Sequence, residues 1–194
     1  MRSKRRGRRT APGRGTTSRI CRWCEPDDAK RFGPLGVTAN IQGLWAAPDP
    51  FVVTLIGQER MLHGYPFRTM ADGGADLAMG SDWPVSPADP WLAIHVAVNR
   101  WAPPPPGVEV PPLAAGALPP TLDAEHQALT LAQALAAYTS GSTSLVLGRP
   151  GRVRVGERAD LAVATGDPFE MPAEVLVSLQ TAVTVVAGEV VFER

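Results

Sequence analysis

The run LAMGSDWPVSPADP, Leu77 to Pro90, presents one carboxylate, Asp82, where an apolar stretch gives way to a turn-rich loop. In parallel α/β folds the reacting groups gather at the carboxyl ends of strands. A carboxylate so placed can ligate a metal, act as a general base, or simply form the following turn. Few other side chains offer chemistry. The chain has three histidines, His63, His95 and His126; none belongs to a His-x-His pair and none ends a predicted strand. His95 falls on an apolar helix face, which suits packing better than ligation, and is also a candidate for the substrate pocket. Arg68, in YPFRTM, could pair with a carboxylate, cap a helix or contact substrate. Trp83 and Trp45 lie near strand ends, where aromatic walls of a pocket are common. Asp160, in ERADLAV, suits a turn. Cys21 and Cys24 form a lone C-x-x-C, lacking the second pair of a zinc ribbon and the βαβ frame of a redox motif.

These residues need a scaffold, and the periodicity supplies one. VTANIQ, Val37 to Gln42, is β-branched enough for a strand, and ADLAMGSD reads as a second, apolar on successive positions as in a strand buried on both faces. Between them, PFVVTLI and a piece ending at Gly73-Gly74 have helical spacing, interrupted at Gly57. PDDAKRFGPLG predicts a short helix stopped by Gly33-Pro34. DPWLAIHVAVNRW places Trp91, Ile94, His95 and Val98 on one helical face. LTLAQALAAYTSGSTSLVLG is a helix with Thr130 as its cap, Leu131, Leu135 and Tyr138 as its stripe, and Ser140-Gly141 as an interruption. Residues 102–122 are a Pro/Gly/Ala-rich loop. After the last helix the period becomes that of strands, with Gly188 between two β-branched runs as in a hairpin. Strands alternating with helices predict a parallel sheet with crossovers, followed by a small antiparallel layer.

The charge distribution is uneven. Residues 1–22 carry nine Lys/Arg and no acid, leaving ten basic against nineteen acidic residues in the rest. This Arg/Gly/Ser/Thr segment has too few apolar residues to order itself, so a disordered tail is expected, with phosphate-driven nucleic-acid binding as the alternative use. No apolar run reaches the roughly 18–20 residues of a membrane span and no signal peptide is visible, so the expected compartment is the cytoplasm.

The runs GSDWPVSPADPWLAIHVAVNR, LTLAQALAAYTSGS and GRVRVGERADLAVATGDPFEMP, in that order and spacing, resemble the C-terminal part of the metal-dependent amidohydrolases, in the amidohydrolase 3 group that includes N-substituted formamide deformylase-like enzymes. GVTANIQGLW, YPFRTMADGGADLAMGSD and VVAGEVVF support it, and the resemblance covers the chain from about Pro26 to Arg194. It implies an α/β fold: the last two strand–helix units of a (β/α)8 TIM-type barrel at 26–148 and strands of a small β-sandwich at 149–194, behind a basic tail at 1–25 that would be disordered or out-of-frame sequence. VTANIQ is similar to the seventh barrel strand and ADLAMGSD to the eighth. Asp82 then matches the aspartate that contacts the metal and relays a proton to the leaving nitrogen. The implied reaction is hydrolysis of a carbon–nitrogen bond, other than a peptide bond, in a small amide or cyclic amide.

The resemblance also implies one or two divalent metals, zinc foremost, held mainly by histidines. A His-x-His pair on the first strand and single histidines on the fifth and sixth would be needed. The sixth-strand histidine should fall just before EPDDAKRF, in a run like Ile-Glu-His, where this chain reads RICRWC. Only Asp82 is a recognisable ligand, and catalytic zinc takes three protein ligands. The chain alone is therefore expected to bind no metal and to be inactive. A barrel of this kind needs about 250 residues, so a partner or an N-terminal segment would have to complete it, and uncovered strand edges are expected.

Overall fold

A computed structural model describes Thr17–Ser18 and residues 22–104 and 122–194. The expected mixed α/β architecture is found, as two separate three-stranded sheets. The first is parallel, in the order β1 (Thr17–Ser18), β2 (Thr38–Ile41), β3 (Leu77–Met79). The second is antiparallel, in the order β4 (Leu161–Ala164), β5 (Thr181–Val186), β6 (Glu189–Glu193). Ala187 and Gly188 link β5 to β6, both at positive φ as a two-residue hairpin requires.

β1 departs from the sequence reading, which puts a disordered tail through residue 25. Thr17 pairs with Thr38 and Ser18 with Ala39, and Trp23 forms an antiparallel bridge with Gly64. The Arg/Gly run gives way to TTSRICRWC, whose Thr, Ile and Trp are strand formers, so ordered chain begins before Pro26. Residues 1–16, 19–21 (with Cys21 of the C-x-x-C) and 105–121 (most of the loop expected at 102–122) lie outside the described residues.

β2 is joined to β3 by α3 (Pro50–Ile56), α4 (Gln58–Met61) and α5 (Phe67–Asp72), preceded by a 3-10 turn at Gly43–Ala46. Asp49 caps α3, its carboxylate accepting from the Phe51 and Val52 amides, and Gly57 ends it at φ 84°. The predicted PDDAKRFGPLG helix is split into α1 (Pro26–Ala29) and α2 (Phe32–Leu35). Gly33-Pro34 lies inside α2 rather than stopping it, because the first helical turn needs no amide from proline; Gly36, left-handed at φ 65°, is the terminator.

After β3 come α6 (Pro90–Asn99), α7 (Ala124–Gln127), α8 (Leu131–Ala136) and α9 (Ser142–Leu147), then β4 and a 3-10 helix at Ala173–Ser178. Thr130 caps α8 in a full capping box with Gln133. The fully buried residues of that helix are Ala134 and Ala137, while Leu131 and Leu135 are half-buried against the core. At Ser140-Gly141 the helix does not break; it widens into a π-turn, Ala137–Gly141, and continues as α9.

The cause lies in β3. Asp76 O accepts from Ala39 N and Gly80 N donates to Ile41 O, so the Leu77 and Met79 carbonyls point away from β2. Ser142 Oγ donates to Met79 O at 2.6 Å, and a Cβ on Gly141 would meet Leu77 O at 2.0 Å. The π-turn therefore covers the outer edge of β3, which the sequence reading expects to be uncovered. The core lies between this sheet and its helices, with Ile41, Phe67, Met70 and Val96 almost fully buried. Each contributes roughly 1.5–3 kcal/mol.

Candidate functional site

The carboxyl ends of β1, β2 and β3 face one side. Asp82 is three residues past the end of β3, exposed, at φ 56°. Aspartate tolerates this left-handed geometry better than most residues. Its carbonyl accepts from Val85 N at 2.8 Å, and Ser81 Oγ accepts from Trp83 N at 3.2 Å, so two short turns fix the carboxylate's base. The Trp83–Pro84 peptide is cis. Behind the loop, burial pushes the Tyr138 phenol up and the Asp89 charge adds to this, while a hydrogen bond with Ser81 opposes both.

Trp45, in the 3-10 turn after β2, is brought to the same side. Its indole Nε1 donates to Ser86 Oγ at 2.7 Å, and Ser86 is buried in the loop that follows Asp82. The Arg22 guanidinium lies over the Trp45 ring, 4.1 Å from its centroid. Arg22 is placed by its backbone: its carbonyl accepts from Tyr65 N at 2.5 Å next to the Trp23–Gly64 bridge. The Gly64–Tyr65 turn is in turn held by Arg100. That side chain is fully buried and donates to Leu122 O at 2.7 Å, Tyr65 O at 3.2 Å and Gly64 O at 3.3 Å. Burial pushes its pKa down to about 10, which leaves it charged at neutral pH.

The remaining candidates are placed elsewhere. Trp83 is 71% exposed. Arg68 on α5 pairs with Asp72 and donates to Ala128 O, tying α5 to the segment before α8 rather than reaching Asp82. His95 is fully buried where α6 packs on the Ala173–Ser178 helix, 4.6 Å from the Trp101 ring and 3.2 Å from Asn99 Nδ2. Its Nε2 is buried without a partner, and burial pushes its pKa down. His63 is exposed, and His126, also exposed, pairs with Asp123, whose hydrogen bond raises its pKa. Asp160 accepts from Ala187 N at 2.8 Å and from Arg158, pinning the β5–β6 hairpin; the Ala187 bond lowers its pKa. A groove of about 1240 Å³ opens at the other end of the sheet, against Thr38, Asp76 and Leu77. It holds none of the candidates.

Arg22, Ser86 and Arg100 are the positions that sequence reasoning passed over. Arg22 looks like one more tail charge until the Trp23–Gly64 bridge shows where it is held.

A divalent metal does not fit the described residues. No group of three or more His, Cys, Asp or Glu among them could hold an ion, and the carboxyl-end face offers Asp82 and an arginine.

Comparison with known proteins places the chain. The sequence model of the amidohydrolase family matches residues 2–192, starting well before the Pro26 at which the motif resemblance begins. The chain is 29% identical over 168 residues to "Putative amidohydrolase YtcJ" of Bacillus subtilis, covering 85% of this chain and 30% of that protein. It is 39% identical over 80 residues to "Protein LONG AFTER FAR-RED 3" of Arabidopsis thaliana, covering 40% of this chain and 14% of that one. It thus spans less than a third of these relatives. Among solved structures it resembles an uncharacterized metal-dependent hydrolase from Pyrococcus furiosus, at 25% identity and TM-score 0.51, over 66% of this chain and 23% of that one. A structure of another uncharacterized protein, 16% identical, shares the fold over 92% of this chain and 41% of its own, with TM-score 0.60. A family match over nearly the whole length establishes that this chain belongs to the amidohydrolase family.

Proposed function

We propose that this chain is the C-terminal portion of a hydrolase that cleaves carbon–nitrogen bonds in small amides or cyclic amides, with Asp82 as its proton relay. The observation that carries the reading is the position of Asp82, a carboxylate fixed by two turns just past the carboxyl end of a parallel strand in a chain of this family. The carboxylate takes a proton from the attacking water and gives it to the departing nitrogen, which must leave as an amine. Its exposure leaves it accessible to substrate. In the assembled enzyme β2 and β3 would be the last two strands of the barrel, and β4–β6 part of a β-sandwich. A partner or further segment would supply the other strands, in a soluble cytoplasmic enzyme. Among the described residues no helix is long and apolar enough to cross a membrane. Because α8, the π-turn and α9 cover the outer edge of β3, closure there requires Ser142 to release Met79 O.

The metal of the family finds no ligand set here, so we assign none to this chain and expect it alone to be inactive. The test is elemental analysis and turnover of an N-substituted formamide and a hydantoin by the purified 194-residue chain. The expected outcome is no bound zinc and no hydrolysis. About one equivalent of zinc, with turnover lost in Asp82→Asn, would overturn the inactivity and keep the relay; turnover unaffected by that substitution would overturn the relay. A nucleic-acid role for residues 1–22 is the competing reading, and it predicts a salt-dependent DNA shift that disappears when the segment is deleted.

A further inference from the structure

Arg22 is the described charge at the carboxyl-end face for which the hydrolase reading has no use. Its guanidinium lies 4.1 Å from the Trp45 centroid and 6.0 Å from that of Trp23. Among the described residues the guanidinium makes no hydrogen bond and no carboxylate lies within ion-pair distance of it, and Nε is shielded from solvent without a partner. The carboxylate of Asp49 is already committed to the Phe51 and Val52 amides at the start of α3. Trp45 is itself fixed by Ser86, and the Arg22 backbone by Tyr65. The result is a planar cation with five donors, set against an aromatic ring, rigid at its base, and without a partner among the described residues. The parallel N–H groups of a guanidinium match the two coplanar oxygens of a carboxylate.

We propose that Arg22, backed by Trp45, is a carboxylate-binding subsite, so that the amide taken at this face carries a carboxylate group. The proposal rests on the hydrolase reading for the class of molecule and on Arg22 for the carboxylate. Asp82, past the end of β3, would act on the amide end while Arg22, past the end of β1, holds the acid end. This separates the proton chemistry from the anchoring.

The test is a binding measurement that needs no turnover. Benzoate, benzamide and inorganic phosphate are titrated into the 194-residue chain by calorimetry, with Arg22→Gln, Arg22→Lys and, as a remote control, Arg149→Gln. Benzoate is expected to bind saturably, benzamide at least about tenfold more weakly, and Arg22→Gln to lose at least about tenfold in benzoate affinity. Arg22→Lys should fall between, and Arg149→Gln should equal the parent. Equal affinities for benzoate and benzamide, an unchanged Arg22→Gln, or no saturable binding would each overturn the proposal; tighter binding of phosphate would overturn the carboxylate assignment. If Arg22→Gln fails to fold, the Nε–H resonance of Arg22 in the parent decides: it shifts with benzoate if the proposal holds and stays put if not. Benzoate binding that Arg22→Gln abolishes supports the subsite whether or not the chain turns over an amide, whereas turnover unaffected by Asp82→Asn overturns the relay and leaves the subsite standing.

Discussion

Asp82 and Arg100 show how differently two charged residues can be used. Asp82 is exposed, and its carboxylate makes no hydrogen bond or ion pair with the other described residues. Asp82→Asn should therefore change the urea midpoint little, within about 0.5 kcal/mol, while removing the proposed relay from any assembled, active enzyme. Arg100 is the opposite case. Three backbone carbonyls from two distant segments converge on it, and the Phe67 ring lies 5.4 Å away. Arg100→Met takes the donor from the Leu122 and Gly64 carbonyls in the core, while Tyr65 O keeps the Phe67 amide. A loss of about 3 kcal/mol or more is expected, read from urea unfolding. Because Arg100 holds the Gly64–Tyr65 turn, this variant should also loosen Arg22, which Tyr65 N fixes.

At the scale of elements, the α8–α9 rod is the most revealing. Its start was legible in the sequence: Thr130 and Gln133 stand at capping-box spacing, and Thr130→Ala should cost about 1 kcal/mol. Its middle was not. Ser140-Gly141 looks like an interruption because glycine and serine are poor helix residues, yet both are used against β3. Gly141 lets the helix approach Leu77 O, and Gly141→Ala should cost about 2 kcal/mol in thermal or urea unfolding, since the new methyl meets a carbonyl that cannot retreat. The limits of β4 show the converse. GRVRVGERADLAVA reads as strand throughout, but only Leu161–Ala164 finds a partner in β5, and Val155 is left fully exposed. Strand propensity without a neighbour does not make a strand.

At the scale of the whole molecule, α6 joins the first sheet's layer to the C-terminal segment, and His95 sits in that joint. Asn99 Nδ2 donates to Ala173 O at 2.8 Å, and the imidazole is enclosed between α6 and the 3-10 helix. Desolvation lowers the pKa of His95 in the folded state, against pulls in the other direction from Ala173 and Glu174. The unfolded chain therefore binds the proton more readily. Stability is full above the unfolded value near 6.5 and declines as pH falls through that value toward the folded one. His95→Phe should flatten this part of the stability-against-pH curve, as checked by urea midpoints between pH 7.5 and 5.

Much of the molecule follows from local rules. The spacing of apolar residues marks β2, β3, α6 and α8, Asp89-Pro90 and Thr130 announce helix starts, and Gly-Ser-Asp-Trp-Pro carries the family likeness. Asp82 was found this way because a strand end is a local feature and its neighbours are its own turn. The sites of Arg22, Ser86 and Arg100 were decided only by the tertiary structure. Each depends on a partner far along the chain: Trp45 for Arg22 and for Ser86, Leu122 and Gly64 for Arg100. Composition counts Arg22 as one of nine tail charges, and only the Trp23–Gly64 bridge and the Trp45 contact make it a residue of the carboxyl-end face. Sequence alone determines which segments seek burial and where they stop, since those are properties of a few adjacent residues. Which charges end up facing one another depends on the crossing of segments far apart in the chain, and that only the folded chain decides.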